Sequence, residues 1–175
     1  AALDRFCKNF LRLQPSAQAR LTVENDDKAN MYSVKDLYDG VYKVVGIPIV
    51  FDYFHHKFCT GDMTEEEALK LAASTWGDVK PCTHYSESRR AEKKLVIEQI
   101  CENNNITMEQ MQDWPTLAGH YKEFSKIKEQ AHSDYIKEEI KDYGLDIDVV
   151  VEAKAKELAF MSEEYKKVLT EVLPC

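Results

Sequence analysis

The stretch Ile47-Pro48-Ile49-Val50-Phe51-Asp52-Tyr53-Phe54-His55-His56 carries the strongest structural signal in the chain. Five apolar residues in a row, closed by an acidic one, suit a strand of a parallel sheet covered by helices on both faces, and Pro48 is tolerated near its start. On either side the pattern alternates. Arg20-Leu-Thr-Val-Glu24 reads as a shorter strand ending in a carboxylate, followed by the polar turn Asn25-Asp26-Asp27. Ser33 then caps a helix whose apolar residues Val34, Leu37, Tyr38, Val41, Val44 and Val45 recur at helical spacing until Gly46 stops it. After the central strand, Thr64 with Glu67 forms a capping box for a helix carrying Ala68, Leu69, Leu71 and Ala72. Pro81 to His84 is a third strand candidate and Asp148-Val-Val-Val-Glu152 a fourth, followed by a helix from about Ala155 to Leu173. The first twenty residues read as the helix before the first strand. Strand and helix in alternation give an α/β fold with a parallel sheet.

Residues 91–131 break this alternation with highly charged helical sequence, interrupted at Asn103-Asn104-Asn105 and Trp114-Pro115, with Thr107 beside Gln110 and Thr116 as candidate caps. Their apolar positions look too few for an independent core. The segment is read as a helical insertion in a single domain spanning 1–175.

Composition sets the limits. With 44% hydrophobic and 31% charged residues the chain buries a core, which excludes disordered and low-complexity classes. Neither a membrane-spanning run nor a signal peptide is expected, so the reading is an intracellular protein with no membrane partner. Five cysteines, odd in number and without a CxxC pair, read as thiols. A net charge of −8 opposes long-range attraction to nucleic acid, so any such role must come from a local site.

The four strand candidates finish on ligand-type residues: Glu24, Asp52 with His55, His84, and Glu152. Four of the five histidines, His55, His56, His84 and His132, lie on or just after these ends. In parallel α/β folds the carboxyl ends of the strands form one rim, where active sites are built. Each signal alone has a plain alternative. Asp52 can cap its own turn, Glu24 can belong to a solvated loop, His84 and His132 can be ordinary hydrogen-bonded histidines, and Glu152 can pair with Lys154 and Lys156 at the surface. Recurrence at the same point of successive units favours convergence on one cavity. Carboxylate oxygens and imidazole nitrogens in that number suit Mn²⁺, Zn²⁺ or Fe and exceed what one ion needs, which points to a multi-metal site.

Five segments in order resemble the ultraviolet damage endonucleases, TIM-barrel DNA repair nucleases that cut on the 5′ side of photoproducts and other lesions. They are Arg20-Leu-Thr-Val-Glu24-Asn-Asp-Asp27, Ile47 to His56, Pro81-Cys-Thr-His84-Tyr-Ser-Glu-Ser88, Ala131-His132-Ser-Asp-Tyr-Ile136, and Val149-Val-Val-Glu152-Ala-Lys154 with the residues after it. The resemblance implies Glu24, Asp52, His55, His84, His132 and Glu152 as metal ligands, with Glu24, Asp52, His84 and Glu152 central to catalysis, around a cluster usually associated with manganese. It places Asn25, Ser86 and Lys154 beside the cluster, facing DNA phosphate. Where the family usually has a lysine two residues before the His84 position, this chain has Cys82, which would soften the site and favour zinc. At 175 residues the chain is well short of the ~250 typical of a (β/α)₈ barrel. The family's barrel begins with strands that contribute further histidine ligands, which this chain does not supply, so the resemblance implies the second half of one, expected to pair with a missing amino-terminal half or with a second copy of itself, and to act on damaged double-stranded DNA. Other readings of the same rim are an abasic-site nuclease, a sugar isomerase, or a noncatalytic half-barrel interaction protein.

Overall fold

The computed structural model describes residues 2–161. Four parallel strands form one sheet in sequential order: β1 Val23–Glu24, β2 Ile49–Asp52, β3 Cys82–Tyr85 and β4 Asp148–Val151. The α/β class and the parallel sheet are those the alternation implies. Register pairs Glu24 with Val50, Asp52 with His84, and His84 with Val150. Partners across parallel strands project to the same face, so Glu24, Val50, Asp52, Cys82, His84 and Val150 share one side. Ile49, Phe51, Thr83 and Tyr85 occupy the other, where all four are buried.

Strands β1 and β2 are shorter than the sequence suggests, for local reasons. Pro15 opens a second short helix, Pro15–Gln18, whose turn continues through Arg20 N–H to Ala17 O and Leu21 N–H to Gln18 O. The first twenty residues are thus two helices, Ala2–Phe10 and Pro15–Gln18, and β1 keeps two residues. Pro48 has no N–H to donate, yet its carbonyl accepts from Val23 N–H at 3.1 Å, and β2 begins one residue later.

Ser33 and Thr64 each close a capping box, with Asp36 and Glu67 respectively. The helix begun at Val34–Leu37 widens into a π-helical turn at Tyr38–Tyr42 before Lys43–Val45, ended by left-handed Gly46. Gly40 lies in that turn because Leu3 packs where its Cβ would stand. Helix Glu65–Ala73 packs on β2, and the following turn supplies Thr75 Oγ1 to Ile49 N–H and Trp76 Nε1–H to Ile49 O.

The chain divides into two compact units, residues 1–85 with 139–151, and 86–138 with 152–175. The sheet belongs to the first. In the second, Ser88 caps helix Arg89–Asn104, Thr107 and Gln110 cap each other before Gln110–Asp113, and helix Ala118–Ser125 follows without a side-chain cap from Thr116. Ile97, Cys101, Met111 and Phe124 form an apolar cluster of their own, so this segment holds more core than its charge density suggests. Of the last helix expected, Lys156–Met161 is described and is 3₁₀; residues 162–173 lie outside the described residues.

Candidate metal centre

Three strand ends of the first unit bring Glu24, Asp52, His55 and His84 together. Glu24 is the last residue of β1, and its carboxylate reaches two imidazoles: Oε1 lies 3.2 Å from His55 Nδ1 and Oε2 3.3 Å from His84 Nδ1. Asp52, the last residue of β2, is fully buried and caps the turn Tyr53–His56, Oδ1 accepting from His55 N–H at 2.7 Å. The plain reading of Asp52 as a cap is therefore correct, and it coexists with the other: ligand atoms of Glu24, Asp52 and His55 lie within 4.8 Å of one another.

Asn25 holds this arrangement in register. It is 1% exposed, its Nδ2 donates to Asp52 O at 3.0 Å and its Oδ1 accepts from Asp52 N–H at 2.9 Å, so its side-chain amide extends the β1–β2 ladder where the backbone of β1 has ended. Its own carbonyl is 2.9 Å from His55 Nδ1. That contact fixes the Nδ1–H tautomer when His55 is neutral and leaves the ring lone pair on Nε2.

Electrostatics follow from the crowding. Burial raises the Glu24 pKa, but hydrogen bonds with His55 and His84 and their charge more than offset this and hold it at about 2. Burial opposes the charge on His55, while Glu24, Asp52 and the Asn25 carbonyl together carry it up to about 9. Without metal the pair is a half-buried ion pair, and a cation bound there would have to displace the His55 proton. Cys82 lies on the same face of the sheet, yet burial and the charge of Asp148 push its thiol up, away from the thiolate a soft site needs. His56 is a core residue: it is buried against Phe51, and burial lowers its pKa.

The second unit holds His132, Glu152, Ser86 and Lys154. His132 Nδ1 is 3.1 Å from Glu152 O and 3.7 Å from its Oε2, again a strand-end carbonyl holding Nδ1. Ser86 is 1% exposed and its Oγ has no hydrogen-bond partner among the described residues. Lys154 is exposed, and its backbone N–H donates to Ser133 O at 3.0 Å.

One positioning residue was not foreseen. Glu87 O accepts from Ser133 N–H at 2.8 Å, and Glu87 Oε1 accepts from Lys137 N–H and Glu138 N–H at 2.7 and 2.8 Å, which clamps the loop after His132. Its signal is long-range and leaves no mark in local sequence. We expect Glu87→Ala to speed amide exchange at Lys137 and Glu138 by roughly tenfold or more, with Glu87→Gln, which keeps an acceptor, staying near wild type. Equal exchange in all three proteins would show that the clamp holds nothing.

The sequence model of UV-endonuclease UvdE matches residues 1–171. The chain belongs to the UvdE family. Among UvdE relatives, the UV-damage endonuclease of Neurospora crassa is 37% identical over 98 residues, which are 50% of this chain and 14% of that protein. The UV DNA damage endonuclease of Bacillus pumilus is 39% identical over 54% of this chain and 29% of its own length. That of Bacillus mycoides is 27% identical over 91% of this chain and 42% of its own. A solved UvdE relative, described as the crystal structure of SacUVDE, superposes with a TM-score of 0.63 at 25% identity, covering 97% of this chain and 46% of that one. The chain thus spans less than half the length of these relatives.

Proposed function

We propose that this UvdE chain is the part of a DNA repair endonuclease that carries one side of its metal cluster, hydrolysing the phosphodiester 5′ to ultraviolet photoproducts and other lesions in double-stranded DNA. The observation that carries the reading is the Glu24 carboxylate set between His55 and His84 with Asp52 beside it, at the carboxyl ends of adjacent strands. The donor set fits divalent cations, Mn²⁺ foremost and Zn²⁺ as the alternative. Its oxygens and imidazole nitrogens are the ligand types such ions take, and Asn25 holds His55 by its other nitrogen. Glu24, Asp52, His55 and His84 would hold metal on the first unit, and His132 and Glu152 are the ligands proposed on the second. When bound, the cations supply Lewis acidity, acidifying water and neutralising charge on the phosphate. The protein's part is placement: Asn25 sets the height of Asp52, and Glu24 fixes two rings at once. Asn25, Ser86 and Lys154 are the residues proposed to face DNA phosphate, the first two buried and Lys154 exposed.

The reading includes a partial barrel. Val150 lies on the same sheet face as Asp52 and His84 and is 47% exposed, as an interior position of an unfilled barrel would be. The missing strands would come from an amino-terminal half or from self-association. The test is nicking of an irradiated duplex in Mn²⁺ by the chain alone and with the amino-terminal half of a longer relative. We expect weak or no nicking alone and a gain of at least ~10²-fold on complementation, because loss of positioning costs orders of magnitude. Full activity alone would overturn the partial barrel. No nicking in either case, or equal nicking of undamaged duplex, would overturn the nuclease reading.

A further inference from the structure

The helical segment of the second unit holds a cavity of about 360 Å³ between helix Arg89–Asn104 and the region of helix Ala118–Ser125, and its polar lining is cationic: Arg89, Lys93 and Lys126, with His120 and one carboxylate, Glu123. The cations around it differ in how they are neutralised. Arg90 pairs with Glu129 at 2.7 Å, Lys94 with Glu98 at 3.5 Å and Lys137 with Glu92 at 3.4 Å. Arg89, Lys93 and Lys126 make no ion pair among the described residues, in a chain with 31 acidic residues against 23 basic ones. Arg89 Nε is also closed off from solvent and has no acceptor.

This placement is unfavourable for the free chain. Arg89 and Lys93 are like charges one helical turn apart, and they sit in the first turns of a 16-residue helix, where the macrodipole already places positive charge. A bound anion reverses both effects and gives the Arg89 donor a partner. The position of the groove says which anion. Arg89 N–H donates to Ala131 O at 2.8 Å and Ser88 bridges to His132, so the cationic lining begins beside a proposed metal ligand.

We propose that Arg89, Lys93 and Lys126 form a phosphate-binding groove that holds the DNA backbone beside the cut, an inference that rests on the nuclease reading for its occupant. The chain's net charge of −8 then needs no compensation elsewhere, because the electrostatic footprint is concentrated in one groove.

The test uses the full chain in EDTA, so that metal plays no part, with fluorescence anisotropy of a labelled duplex over a range of salt. The groove variant replaces Arg89, Lys93 and Lys126 by Ala. A control of equal charge change replaces Lys8, Lys35 and Lys70. We expect the groove variant to lose ~10-fold or more in affinity at about 0.1 M salt and ~2–3 from the slope of log affinity against log salt, and the control to lose much less. Equal affinity and slope in the two variants, or neither duplex binding by wild type nor its protection by inorganic phosphate, overturns the groove. Inorganic phosphate protecting wild type against thermal unfolding without duplex binding overturns the DNA occupant. Nicking of irradiated duplex in Mn²⁺ is read separately, with the amino-terminal half of a longer relative added, since the chain alone is expected to nick weakly or not at all. Groove-dependent binding without nicking leaves the groove and sinks the nuclease reading, whereas nicking with no groove dependence does the reverse.

Discussion

Asn25→Ala is expected to lower the unfolding free energy by about 2–6 kcal/mol, the cost of stranding two buried backbone groups at ~1–3 kcal/mol each. The residue is 1% exposed, and both ends of its amide are spent on Asp52, one on its N–H and one on its carbonyl. Alanine removes both partners and leaves no path for water to replace them. Asn25→Asp separates the two contributions, since it keeps an acceptor for Asp52 N–H, loses the donor to Asp52 O, and adds a carboxylate beside Glu24 and Asp52. It should therefore be no more stable than the alanine variant. Urea unfolding in EDTA measures both. A loss under ~0.5 kcal/mol, the range of an ordinary surface change, would mean that the amide is not what joins β1 to β2 at the site.

Asn25 also shows where sequence reading stops. The β2 run was legible because five apolar residues closed by Asp52 have few other uses, and the Thr64 box because its partners are three residues apart. Short range is what the two share. The π-helical turn at Tyr38–Tyr42 depends on Leu3 filling the space above Gly40, and the two-residue length of β1 depends on a helical turn running on past Gln18. Neither leaves a local mark. The site divides along the same line. Its chemically distinctive members Glu24, Asp52, His55 and His84 could be chosen because strand ends are predictable from strands. Asn25 and Glu87 act through backbone groups 27 and 50 residues away, which no residue type announces. The resemblance implies that Asn25 faces phosphate, and only the structure shows its amide bonded to the Asp52 backbone.

Glu24→Gln is expected to cost metal affinity at least ~10²-fold, since loss of a mere outer-sphere partner typically costs 10–100-fold. The substitution preserves size and removes the carboxylate that lies against both imidazoles, at 3.2 and 3.3 Å. Its signature in the metal-free chain is the pH dependence of stability. His55 is raised from 6.5 to about 9, so its contribution is complete below pH 6.5 and is lost as pH rises through about 9. Glu24 is lowered from 4.5 to about 2, so its contribution is present above pH 4.5 and is lost as pH falls toward about 2. Between those limits the ion pair is intact, and stability from this source should be flat from 4.5 to 6.5 in the wild type. Gln should remove the acid flank, because it has no acidic proton, and shrink the alkaline one, where Asp52 and the Asn25 carbonyl still favour the imidazolium. Manganese reverses the alkaline flank. Binding must expel the His55 proton, so the stabilisation that Mn²⁺ gives should grow as pH rises from 6.5 toward 9, where the metal-free chain is losing ground. Thermal unfolding with EDTA and with Mn²⁺ across that range, in wild type and Glu24→Gln, reads every part of this. If the two proteins have matching profiles in EDTA, the Glu24 bridge between His55 and His84 is not what charges the site. If Mn²⁺ stabilises both equally, Glu24 is not a ligand.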